Sequence, residues 1–280
     1  MVYRLLNIFS VLVFVGLSGC ATKVQPYEEK SVNHFYNQGL EFLRSRDYAE
    51  AAKQFTELER QHPYSLWAAR GQVLMAYAYY ENQNYASAVE SIQSFLQLYP
   101  GHEDAPYMHY LLGMAYYEQV PIVPRDQDLT RKALTSFQGL ITQHADTMYA
   151  RDATFKLELL RDHLAAAELD VARFYLNKSA YIASIRGLQR VIRNHSKTRH
   201  AEEALHRLVE CYVALGMTND AVRTAAILQH NYPKSPWYAD SYYLLKGIDL
   251  RTKEHKGEGK SWFASVFTSA PTKSSKGHQS

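Results

Sequence analysis

The sequence predicts an all-α fold, a right-handed superhelical solenoid of five helix hairpins with a C-terminal capping helix. Three observations predict it. Gly39, Ala51, Phe55 and Pro63 recur as Ala76, Ala88, Ile92 and Pro100 at the same offsets of 12, 16 and 24 residues. The joints repeat as well: "HPYSLWA", "YPGHEDA", "HADTMYA" and "HSKTRHA" each set an alanine (Ala68, Ala105, Ala150, Ala201) five residues after the stop position. No period-2 run of β-branched residues competes with these patterns.

The first unit joins helix A, carrying Gly39, to helix B, opened by a capping box of Asp47 and Glu50 and stopped by Pro63. In the second, Asn84 is the N-cap of helix B and Pro100 its stop. The third keeps Gly113, Ala133, Phe137 and Ala145 but carries eight extra residues between its helices. Ala172, Ser184, Leu188 and Ser196 mark a weaker fourth unit, and Val209, Ala221, Ala225 and Pro233 a fifth. Ala145 and Ser196 stand where the other units stop on proline, so the third and fourth helix boundaries are the least defined. "SPWYADSYYLLKGIDL" after Pro233 is the capping helix. These offsets resemble the tetratricopeptide repeat (TPR), in which a small residue of helix A packs closely on helix B.

Ahead of the array, Arg4 and an apolar run from Leu5 to Leu17 form a secretory signal, too short for a bilayer-crossing helix of about 20 residues. Leu17-Ser18-Gly19-Cys20 resembles a bacterial lipobox. That resemblance implies cleavage before Cys20 and its lipidation, and Ala21 after it favours the outer membrane, facing the periplasm. Acyl chains contribute about 0.8 kcal/mol per buried methylene, and more than one chain is needed for stable anchoring. The divisions are a signal peptide 1–19, a lipidated linker 20–30, the solenoid 31–250 and a basic tail 251–280 expected to be disordered. Cys211, the second of two cysteines, falls in an apolar helical pattern and is expected in the core.

Residues 21–250 hold 24 Lys and Arg against 26 Asp and Glu, and the tail holds 6 against 2. A body this balanced offers no basic stripe for nucleic acid, so no nucleic-acid partner is expected. HExxH, CxxC, GxSxG, P-loop and GxGxxG motifs are absent from the chain, and no catalytic residue, metal site or cofactor is expected. His62, His144 and His195 occupy the repeat position that Tyr99 and Tyr232 fill in other units, which suits packing or capping better than metal ligation.

The chain has 22 tyrosines, and the repeat frame says where some point. In TPR repeats helix A lines a concave groove, with its fifth, ninth and twelfth positions facing a ligand. Here these are Tyr36, Leu40 and Leu43, then Val73, Tyr77 and Tyr80, then Tyr110, Met114 and Tyr117, each set forming one helical stripe. At the second position, Asn33, Arg70 and Tyr107 are candidates to hold a peptide's backbone or carboxylate. An apolar, phenol-rich groove suits an extended or helical peptide with aromatic side chains.

"YYEQVPIVPRDQDLTRKAL", with "YARDA", "LRDHLAAAELDVARFYLN" and "RHAEEALHRLVECYVALG", resembles the BamD family, the lipoprotein of the β-barrel assembly machine, from Cys20 to about residue 250. The resemblance implies a scaffold without catalytic activity. Its first half, 31–145, would receive the C-terminal aromatic signal of unfolded outer-membrane proteins. Its second, 146–250, would bind the periplasmic domains of the barrel-forming subunit, other lipoproteins of the complex being further partners. Arg190, Arg193 and Arg199 in "RVIRNHSKTRH" are the candidate partner-binding residues, of which Arg193 matches the family best. The alternatives are a TPR pilotin-type lipoprotein for a secretin, expected to lack the "PIVPRDQ" insertion, and a peptidoglycan-active enzyme or binder, expected to carry a glutamate in a polar cleft and a separate sugar-binding module, neither of which the sequence shows.

Overall fold

The computed structural model describes residues 30–253, with side chains to Gly247. The signal peptide, Cys20 and the tail from 254 onward lie outside the described residues. Among the described residues eleven helices follow one another: α1 (Val32–Arg44), α2 (Tyr48–Gln61), α3 (Ala68–Glu81), α4 (Tyr85–Leu98), α5 (Ala105–Tyr117), α6 (Asp128–Gln143), α7 (Met148–Asn177), α8 (Tyr181–Asn194), α9 (His200–Ala214), α10 (Thr218–Asn231) and α11 (Pro236–Lys253). Each packs mainly on its chain neighbour, so α1 to α10 make five sequential hairpins. The last helix lies against α9 and α10, as a cap should, and runs three residues past the boundary drawn at 250.

The repeat offsets have a steric cause. A Cβ added to Gly39 would sit 2.5 Å from Cζ of Phe55, and one added to Gly113 would sit 2.4 Å from Cε1 of Phe137. The backbone of helix A therefore rests directly on an aromatic ring of helix B. Between the helices, Arg46, Gln83, Ser179 and Gly216 turn the chain with φ of 61°, 59°, 57° and 72°. The side chains of Asp47 and Asn84 then accept the N–H of Glu50 (3.2 Å) and Ser87 (3.3 Å), the two caps the sequence predicts.

His62, Tyr99, His144, His195 and Tyr232 are the C-caps of α2, α4, α6, α8 and α10, with φ between −129° and −137°. Two of them reach back to the preceding joint. His62 Nε2 lies 2.7 Å from the Lys30 carbonyl oxygen, and the Tyr232 hydroxyl donates to the Ser196 carbonyl at 3.0 Å. Their work is structural. Cys211 is fully buried, and burial pushes its thiol pKa up.

Two places depart from the regular array. The third hairpin's insertion is organised by Gln127, 6% exposed, whose Nε2 donates to the carbonyls of Ile122, Val123 and Arg125 at 2.9–3.3 Å, while its Oε1 accepts from Thr130 at 2.7 Å. The first helix of the fourth hairpin, α7, has 30 residues. Ala172 lies 27 residues after Ala145, where Gly113 lies 13 after Pro100, and the surplus adds about four helical turns. Ala153, Leu157 and Leu160 in its first half pack with Phe137 and Leu140 of the third hairpin. Leu169 and Ala172 in its second half pack with Leu188 and Val191 of the fourth.

Candidate functional site

The candidate groove residues sit on α1, α3 and α5, the first helices of three successive hairpins. On α1, Asn33 is exposed, while Leu40 and Leu43 are half-buried. Tyr36 lies with its ring 4.7 Å from Trp67 and edge-on to Phe55 at 6.2 Å. On α3, Arg70 is exposed; Val73, only 8% exposed, belongs to the core of the second hairpin and offers a ligand little surface. Met114 and Tyr117 on α5 are half-buried over the core of the third hairpin, and the Tyr117 ring lies 6.3 Å from Phe137.

The tyrosines of α3 and α5 draw together. Tyr77, Tyr80, Tyr107 and Tyr110 are each half-buried, so each keeps part of its surface open to solvent. The pKa of Tyr107 is raised first by burial, then by Tyr77 and Tyr149; that of Tyr110 first by burial, then by its hydrogen bond to Asp152. Burial raises Tyr77 too, ahead of Glu81, and pushes Tyr80 up to about 12, with Glu118 and Tyr85 adding to it. All four are therefore neutral phenols near neutral pH, able both to donate and to accept. Edge-to-face partners steady two of them: Tyr48 is 6.4 Å from Tyr77 and Tyr85 is 5.8 Å from Tyr80.

The stripe continues onto α7, beyond the three helices on which it is predicted. Tyr149 on α7 lies 5.6 Å from the ring of Tyr107 and 5.4 Å from that of Tyr110. Asp152 accepts the Tyr110 hydroxyl at 2.7 Å, and Lys156, 3.4 Å from Asp152, stands 5.2 Å over the Tyr117 ring. The signal for this was present. Groove positions fall 2, 5, 9 and 12 residues after Ala68 and Ala105, and the same count from Ala150 gives Asp152, Phe155, Leu159 and Asp162. Phe155 and Leu159 are 72% and 60% exposed, an apolar continuation on open surface. Beside them, a cleft of about 420 Å³ opens between the insertion and α7, lined by Tyr117, Val120, Val123, Leu159 and His163 and bordered by the Asp162–Arg199 pair. His163 Nε2, 2.8 Å from the Pro121 carbonyl oxygen, fixes one wall to the other.

The fifth hairpin changes character. Glu203, His206 and Glu210 hold the equivalent positions after Ala201, and all are engaged internally. Glu203 pairs with Arg173, Arg207 bonds Glu210 at 2.9 Å, His206 Nδ1 meets the Ser241 hydroxyl of α11 at 2.8 Å, and Arg207 stacks 5.2 Å over Trp237. The open stripe therefore ends before this unit. Arg190 and Arg193 are exposed on α8, and Arg199, 79% exposed, pairs with Asp162 at 3.0 Å. Among the described residues no group of three His, Cys, Asp or Glu could hold a metal, and no helix is long and apolar enough to cross a membrane.

The family described as YfiO, outer membrane lipoprotein, matches residues 28–228. The outer membrane protein assembly factor BamD of Caulobacter vibrioides is 39% identical over 249 residues, covering 88% of this chain and 82% of that protein. Its counterpart in Rickettsia prowazekii is 35% identical over 246 residues, covering 87% and 98%, and that of Neisseria meningitidis serogroup A is 31% identical over 251 residues, covering 84% and 94%. Among solved structures, the TPR2AB domain of yeast Sti1 in its pHSP90 complex aligns with TM-score 0.40 at 14% identity, covering 80% of this chain and 85% of that one. With this degree of identity along nearly the whole array, the chain belongs to the BamD (YfiO) family of outer membrane lipoproteins, assembly factors that are not enzymes.

Proposed function

We propose that this outer membrane protein assembly factor is a lipid-anchored scaffold whose tyrosine stripe receives the aromatic C-terminal signals of unfolded outer-membrane proteins. The observation that carries this reading is the run of half-open phenols from Tyr77 and Tyr80 through Tyr107 and Tyr110 to Tyr149. Tyrosine presents a large apolar face with few rotatable bonds, and its hydroxyl serves peptide donors and acceptors alike. The cleft beside Tyr117 and Leu159, apolar along Val120, Val123 and Leu160 and polar at Asp162, His163 and Arg199, offers a seat for an aromatic side chain at the end of the stripe. On this reading residues 31–145 with the first half of α7 form the signal-binding half. The remainder to 250 carries the surface for the periplasmic domains of the barrel-forming subunit and other complex lipoproteins, with Arg190, Arg193 and Arg199 as its contact residues. Cys20 is the lipid anchor.

The test is the double variant Tyr77→Ala with Tyr110→Ala, titrated with a fluorescent peptide ending in phenylalanine. Loss of two aromatic contacts should weaken binding by about tenfold or more while helicity by circular dichroism stays the same. Unchanged affinity would reject the stripe as the receptor. Pull-down from detergent-extracted membranes tests the partner half: a large β-barrel with tandem periplasmic domains is expected, and recovery of a secretin ring in its place would overturn the assignment.

A further inference from the structure

A second concave site lies on the other side of α3, outside the tyrosine stripe. At 100° per residue, Gln72, Met75 and Tyr79 face about 130° away from Val73, Tyr77 and Tyr80. They line a cleft of about 280 Å³ between α2, α3 and α4, together with Glu59 from α2 and Glu90 and Ser91 from α4. Its charged groups are both carboxylates, and the hydroxyls of Thr56, Ser87, Ser91 and Ser94 can accept as well as donate. The Gln72 amide nitrogen donates to Glu59, which fixes the amide with Oε1 as its free end. That Oε1 is buried in a residue 4% exposed and has no hydrogen-bond partner. The Ser91 hydroxyl, in a residue 8% exposed, is equally unsatisfied. Among the described residues neither Glu59 nor Glu90 is ion-paired, and the lining contains no lysine or arginine.

Buried polar atoms without partners are costly, at about 1–3 kcal/mol each, so native proteins leave few of them unless something fills the place. What would satisfy this set is a cation with several donors. Two carboxylates supply the charge, Gln72 Oε1 and the Ser91 oxygen accept, and Met75 with the Tyr79 ring gives a flat apolar side. The Tyr79 hydroxyl is tied to Thr56 Oγ1 at 3.2 Å, so that side is held in place. A guanidinium matches each feature: it is planar, donates five hydrogens, bears no acceptor, and packs its face on aromatic and thioether groups. We propose that this cleft binds an arginine side chain carried by a partner polypeptide, making a contact separate from the tyrosine stripe.

The full chain in detergent micelles, labelled with ¹³C-methyl methionine, places a reporter in the cleft at Met75 and controls at Met108 and Met114. Titration with Nα-acetyl-arginine methylamide should shift the Met75 methyl saturably and leave the other two in place. The uncharged isostere, Nα-acetyl-citrulline methylamide, should bind about tenfold more weakly, because charge-assisted hydrogen bonds are the stronger kind. Glu90→Gln, at an exposed position, should weaken the arginine response by about threefold or more without altering the unliganded spectrum. Citrulline binding as well as arginine, a lysine analogue binding better than arginine, or shifts spread over all three methionines would each overturn the proposal. None of these outcomes depends on whether the tyrosine stripe binds its peptide.

Discussion

Glycine at two positions of this chain is a packing requirement, and at a third it is not. A methyl at Gly113 would meet the Phe137 ring at 2.4 Å, so Gly113→Ala should cost about 1–3 kcal/mol in urea denaturation, the usual range for overpacking. Gly139 lies inside α6 with nothing within 4 Å of an added Cβ, and Gly139→Ala should stabilise by about 0.5–1 kcal/mol through helix propensity alone. Equal effects would mean that close helix contact is not what the repeat's small residue supplies. Ionisation gives a second residue-scale test. The folded-state pKa of Tyr80 is raised to about 12, chiefly by burial, against about 10 for a free phenol. The folded state thus favours the neutral form; the associated stability is complete below pH 10 and is lost as pH rises from there through about 12. The thermal midpoint should fall over that interval, and fall less steeply in Tyr80→Phe.

At the scale of elements, the four regular turns place one residue in the left-handed region, and only Gly216 suits it without strain. Ser179→Gly should therefore stabilise by up to about 1 kcal/mol and Gly216→Ala destabilise by a similar amount, both read from denaturation midpoints. These turns also show what could be read in advance. Asp47 and Asn84 were legible as caps because a side-chain acceptor three residues before a free N–H is a local arrangement. The hairpins were legible because Gly39 and Phe55 must keep their spacing to touch. The length of α7 was not: residues 148–177 are helical throughout, and no proline or glycine marks where one unit's contacts pass to the next. For the same reason Tyr149 and Asp152 escaped the candidate site although Ala150 carried the frame into them. Periodicity puts Val73 in the groove with Tyr77 and Tyr80, but the short valine side chain is taken up by the core of the second hairpin, where the longer tyrosines reach past it. Nor does spacing reveal that Gln127 gathers three carbonyls of the insertion.

Across the described residues the molecule has no single core. Its buried residues fall into five clusters, each shared between one hairpin and the helix that follows, so stability is approximately a sum of units and their interfaces. In such an array the two halves could open separately, and the feature that opposes this is α7, whose single hydrogen-bonded ladder runs from the Phe137 cluster to the Leu188 cluster. Both the open stripe and the arginine-bearing α8 surface are referred to this one helix, which therefore sets their relative placement. Arg161, exposed near its middle and paired only with Glu158 at 4.0 Å, is the place to interrupt it. Arg161→Pro removes the ladder hydrogen bond to the Leu157 carbonyl and clashes with that carbonyl, at about 3 kcal/mol, while the side chain it replaces belongs to neither cluster. In hydrogen exchange under rising urea, the amides of α6 and α8 should merge into one opening isotherm in the native chain and separate into two in the variant, whereas Arg161→Ala should leave them merged. Merged isotherms in the proline variant would mean that the side-chain contacts across α7, rather than its continuous backbone, couple the two halves.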